Sequence, residues 1–269
     1  MTYTNTSMLN LEVKDYSLWI TLNRPDNSNA FTIEMIHELV ETLYIADADS
    51  EIRSIVITGA GKNFCAGGDV NDMLNKVGMF AGEPNELRER YIRGIQRIPK
   101  CFSEIYTPVI AMINGAAIGA GLDLSCMCDI RIASEFAKFG ETFAKLGLIP
   151  GDGGSFFLQR IIGFAKATEL TLTGDIINAK EALSIGLVNF AVGANDIESK
   201  TQEILNKINS NPPIAIQMSK RAIWHAYRSD LNSHLDLLAA YQGITQRTSD
   251  HFLAIDRLKN NSSPDFSHK

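Results

Sequence analysis

A chain of 269 residues, 45% hydrophobic and 21% charged, can bury a large core; it is long for one domain and short for two. Its net charge of −6, with no basic run, argues against nucleic acid as a partner, and no apolar run approaches the roughly 20 residues of a membrane span. Met1 to Met8 is polar and has no apolar core of signal-peptide length, and Cys65, Cys101, Cys126 and Cys128 lack the spacing of metal ligands. Reduced thiols, no metal and a cytoplasmic location are therefore expected.

In chain order, Leu9 to Val13 and Ser17 to Leu22 read as two strands turning at Lys14-Asp15-Tyr16. A polar loop, Asn23 to Ala30, leads to Thr32 as N-cap of a helix with Ile33, Ile36, Leu39, Val40 and Leu43 at helical spacing. Ser54 to Thr58 is a buried strand that opens into a loop of small residues, Gly59 to Asp69. A mobile segment around Gly78 to Pro84 precedes a helix predicted from Glu86 to about Ile105.

The next stretch, Val109 to Asp129, organises the chain. Val109 to Ile113 is a buried strand and Leu122 to Cys128 a helix, with Gly115, Gly119 and Gly121 between them. Glycine allows a sharp turn and close approach to bare N–H groups, and the helix N-terminus beyond favours negative charge. Such a turn can bind an anion or a carbonyl oxygen becoming one. Ile130 to Ala133 and Lys138-Phe139 are further extended pieces. Beyond them come helices at 154–162, 165–172, 179–185, 197–208, 215–228 and 235–249, and a polar tail expected to fray from Asn260. Strands early and helices late imply an α/β core with a helical C-terminal region.

Four motifs resemble the crotonase, or enoyl-CoA hydratase/isomerase, superfamily. They are N-R-P-x(3)-N-A-F at 23–31, I-V-I-T-G-A-G-K-N-F-C-A-G-G-D at 55–69, P-V-I-A-M-I-N-G-A-A-I-G-A-G at 108–121 and C-D-I-R-I-A at 128–133. K-F-G-E (138–141), L-G-L-I-P-G-D-G-G (146–154) and L-T-G (172–174) continue the likeness along essentially the whole chain. The resemblance implies a spiral core of ββα repeats over residues 1–200 and a helical trimerisation region over 201–269, as one functional unit. It further implies a homotrimer or homohexamer that acts on acyl-CoA thioesters. No cofactor is expected, since coenzyme A enters as part of the substrate.

The same resemblance assigns residues. The thioester oxygen would sit between the backbone N–H groups of Gly68 and Ala120, preorganised donors for an enolate-like oxyanion. Substrate and CoA would lie along Asn29, Ala30, Phe64, Cys65, Ala66, Asp69, Phe143, Pro150 and Gly151. Lys62 is a candidate phosphate partner. Family hydratases add water with two glutamates; the corresponding positions here are Asp123 and Phe143. An aspartate has the shorter reach and a phenylalanine transfers no proton, so the two-glutamate arrangement is absent. Asp123, Glu141 and Asp152 remain as catalytic carboxylates, Asp123 foremost.

Hydration of a 2-enoyl-CoA is the family default. The alternatives are double-bond isomerisation with Asp123 as a single shuttling base, hydrolase or dehalogenase-like chemistry at Asp152, and a non-catalytic acyl-CoA-binding protein. A dinucleotide-binding oxidoreductase is excluded by Leu124, which stands where the third glycine of that fingerprint belongs.

Overall fold

The computed structural model describes residues 1–260 and 266–267. Nine strands and twelve α-helices are seen among them. Six strands form the main sheet, in the order β1 (Leu9–Lys14), β2 (Ser17–Leu22), β3 (Ser54–Gly59), β4 (Val109–Ile113), β6 (Ile130–Ser134), β9 (Phe190–Val192). The β1/β2 pair is antiparallel and every later pair is parallel. Parallel strands covered on both faces read as continuous apolar runs. All six residues of β3 are buried accordingly.

Period-two alternation divides the core. Leu18, Ile20, Leu22, Ile55, Ile57, Val109, Ala111 and Ile113 face the larger cluster, which helices α1 (Ile33–Asp47) and α5 (Ala120–Met127) join. Trp19, Val56, Ile110 and Ile132 face the other side, against Ile197, Ile204 and Leu205 of α9 (Ile197–Asn209). Helix α9 thus runs across residue 200 and packs on the sheet. Asn209, at its end, holds Ser17 and Ser54 by side-chain hydrogen bonds of 2.9 Å each.

Two expected elements differ. The helix predicted over 86–105 is two helices, α3 (Pro84–Arg93) and α4 (Arg97–Glu104), broken at Gly94. In one continuous helix Pro99 would remove an interior hydrogen bond; after the break it falls in a first turn, where no N–H is missed. The last predicted helix, 235–249, is α11 (Leu231–Thr245), and a further helix, α12 (Ser249–Asn260), was not foreseen. Of the tail expected to fray, residues 261–265 and 268–269 lie outside the described residues. Phe266, in contrast, is buried, and its carbonyl accepts a hydrogen bond of 2.5 Å from Arg53.

A second sheet, β5 (Ala117–Ile118), β7 (Lys138–Gly140) and β8 (Ile176–Asn178), was not foreseen beyond Lys138-Phe139. It is short and lies at the carboxyl ends of the main parallel strands, where ligands bind in sheets of this kind.

Candidate active site

The loops leaving β3 and β4 are stitched together. Cys65 N donates to Ala116 O and Ile118 N to Cys65 O, each at 3.0 Å. The approach is so close that side chains are excluded: a Cβ on Gly115 would lie 1.9 Å from Lys62 O, and one on Gly121 2.0 Å from Cys65 O. Gly119, at φ +54°, turns the chain into α5. Gly67 abuts that turn, its would-be Cβ 3.0 Å from Ala120 N.

Gly68 and Ala120 line one narrow cavity, of about 30 Å³, room for about one water. Neither N–H has a hydrogen-bond acceptor among the described residues. Phe31, Met73, Met79, Phe80, Tyr91, Ile95, Phe143 and Leu148 make the rest of the wall mainly apolar. Met73 and Phe80 lie over Gly68, where a Cβ would fall 2.4 Å from Met73 Cε and 2.9 Å from Phe80 Cζ. Met73, Met79 and Phe80 were missed in the sequence: Met79 and Phe80 fall in the segment expected to be mobile, and Met73 lies before it in α2 (Val70–Asn75).

Three carboxyls meet beside the turn, each delivered by a different element. Asp123 sits in the first turn of α5, and Glu141 directly follows β7, which the bond from Gly119 N to Gly140 O at 2.8 Å holds against the turn. Asp152 precedes α6 (Gly154–Ile162), which packs on α5. Asp123 and Glu141 are fully buried and Asp152 is 3% exposed. Only Asp152 of the three lines the cavity. The helical turn at Thr142–Leu146 sends Phe143 into the cavity wall and Glu141 inward.

No N–H, O–H or cationic side chain among the described residues reaches either oxygen of Asp123 or Glu141, or Asp152 Oδ1. Burial therefore pushes all three carboxyls upward: Glu141 to about 8, Asp152 above its usual range, and Asp123 well above it. The negative charges of Asp152 and Glu141 push Asp123 in the same direction.

The remaining expected residues divide into two groups. Asn29 is fully buried, with its Nδ2 donating to the carbonyls of Ala60, Asn63 and Phe64 at 3.0, 2.8 and 3.2 Å. It shapes the loop from within, beside buried Ala30 and Phe64. Cys65 Sγ donates to Asn29 O at 3.1 Å, and burial pushes the thiol up to about 12. Asp69 caps α2 (Val70–Asn75) through Asn71 N at 3.0 Å and accepts from Asn27 at 3.2 Å. Lys62 is exposed and Ala66 half-buried. Gly151 packs under the Tyr91 ring beside Pro150, and its carbonyl accepts from Gln96 at 2.8 Å.

The parallel main sheet with its helical C-terminal region is a crotonase-superfamily architecture. The chain belongs to the enoyl-CoA hydratase/isomerase family, whose model matches residues 15–269. It is 37% identical over 217 residues to the short-chain-enoyl-CoA hydratase of Clostridium acetobutylicum, covering 80% of each chain. It is 35% identical over 254 residues to the 1,2-epoxyphenylacetyl-CoA isomerase of Escherichia coli, covering 93% of this chain and 94% of that one. The crystal structure of enoyl-CoA hydratase from Bacillus anthracis superposes with a TM-score of 0.91 at 33% identity, over 98% of this chain and all of that one. The chain is thus an enzyme of the hydratase/isomerase type.

Proposed function

We propose that this enzyme moves a proton on an acyl-CoA thioester, and that its reaction is double-bond isomerisation. The observation that carries the reading is one cavity lined by two free N–H groups, one buried carboxyl and otherwise mainly apolar side chains. The thioester oxygen accepts from Gly68 N–H and Ala120 N–H. A carboxylate of the Asp123–Glu141–Asp152 group takes a proton from C2 of a 3-enoyl-CoA. The C2–H electron pair enters the conjugated system, the thioester oxygen becomes the oxyanion, and the proton returns at C4 to leave a 2-enoyl-CoA. One base suffices, and Phe143 supplies no second.

Hydration of a 2-enoyl-CoA is the second reading. It is favoured by the relatives whose names are hydratases, in Clostridium acetobutylicum and Syntrophomonas wolfei. A panel of acyl-CoA thioesters followed by mass spectrometry separates the two. Isomerisation leaves the mass unchanged and raises the ultraviolet absorbance of a conjugated thioester; a gain of 18 mass units shows hydration, and free CoA shows hydrolysis. Conversion of 2-enoyl but not 3-enoyl substrates would overturn the isomerase reading.

We further propose that the chain self-associates as a trimer or hexamer. Support comes from a groove of about 500 Å³ between α10 (Pro213–Ala226) and α11, lined by Leu235, Leu238 and Tyr241. Leu235 is 51% exposed there. Four buried free thiols support a reducing compartment such as the cytoplasm.

A further inference from the structure

The sequence puts Asp123 foremost among the carboxylates, yet the fold places it behind Asp152. Asp152 shares the cavity with Gly68 and Ala120, whereas Asp123 and Glu141 are absent from its lining. Asp123 is instead pressed against the start of α6. A Cβ on Gly154 would fall 2.2 and 2.4 Å from its two carboxyl oxygens, so only glycine leaves room for them.

The three buried carboxyls form a row in which Asp123, in the middle, interacts with both Asp152 and Glu141. No other donor among the described residues reaches the oxygens of Asp123 or Glu141. A proton carried by the row itself can satisfy them, since closely packed, buried carboxylates do not all ionise together. The middle carboxyl interacts with both others and is the one that can serve either neighbour.

We propose that Asp152 is the catalytic residue that exchanges the proton with substrate, and that Asp123 and Glu141 are positioning residues holding one shared proton at its back. The assignment rests on the proton-transfer reading above and is independent of whether isomerisation or hydration follows. A protonated Asp123 donates its O–H to Asp152, which steadies the Asp152 carboxylate and keeps it ionised for catalysis. Asp152 takes the C2 proton, becomes a neutral acid and gives the proton back, so no oxidant or co-reactant enters.

The test is exchange of the C2 protons of butyryl-CoA with deuterated solvent, followed by nuclear magnetic resonance, because exchange needs only the oxyanion site and the base. Asp152→Asn is expected to slow exchange at least about 10²-fold with butyryl-CoA affinity unchanged. Asp123→Asn keeps a donor in the middle of the row and is expected to slow exchange less than Asp152→Asn does, with the wild-type pH profile. Asp123→Leu fills a similar volume without a donor, so its profile should move to higher pH while that of Asp123→Asn does not, a difference that mere packing would not give. Loss of exchange in Asp123→Asn with activity kept in Asp152→Asn would overturn the assignment and make Asp123 the base. Wild-type exchange without isomerisation or hydration of any thioester would sink the reaction and leave the assignment standing. A wild type that exchanges no C2 proton would overturn both.

Discussion

Gly68→Pro tests the backbone donor, with Gly68→Ala as its partner. Both variants add a Cβ where Met73 Cε and Phe80 Cζ stand 2.4 and 2.9 Å away. Both therefore push the same flexible wall, and a methionine end can give. Only proline also removes the N–H, which has no acceptor among the described residues. Removing one such donor costs about 10²–10³ in kcat, roughly 2.7–4 kcal/mol. The ratio of kcat between the alanine and proline variants should fall in that range, while acyl-CoA affinity, measured by calorimetry, changes similarly in both. Circular dichroism checks that each variant is folded. Equal kcat in the two folded variants would refute the role of this N–H, leaving the turn as binding surface alone.

Stability should fall as pH rises from about 5 to 8, by up to about 1.4 kcal/mol per pH unit for each buried carboxyl that ionises in the unfolded chain but not in the folded one. The sign follows from folded values raised above the unfolded ones, to about 8 for Glu141, so the folded state holds protons that the unfolded chain releases. Thermal melts should show the decline, and Asp123→Asn should flatten it; a rise in Tm that the variant does not alter would contradict this. Asn29→Ala strands three backbone carbonyls and should cost roughly 3 kcal/mol by urea denaturation. A loss of CoA affinity without that destabilisation would instead make Asn29 a ligand contact. Light scattering at micromolar concentration should give a trimer or hexamer of the 29.6 kDa chain, broken down by Leu238→Arg. A wild-type particle of about 30 kDa would refute the assembly.

What the sequence by itself determined is the local framework. Val109 to Ile113 forms β4 with the bounds its apolar run predicts, and Thr32 caps α1 through Met35 N at 3.1 Å. Strand period, caps and glycine turns are interactions within a few residues, and they can be read from a few residues. The family, too, was legible in ordered motifs.

Only the tertiary structure decided which of the carboxyls reaches the cavity. Asp123, Glu141 and Asp152 stand 18 and 11 positions apart along the chain. Their meeting depends on β7 pairing with β5 and on α6 packing against α5, both set by distant contacts. Motif position put Asp123 in front, but burial is a property of everything packed around a side chain, and it leaves Asp152 at the cavity. The same holds for Asn29 and Asp69, read as substrate contacts. Their hydrogen bonds reach inward, to backbone carbonyls and to a helix cap, because the buried N–H and C=O groups there must find partners somewhere.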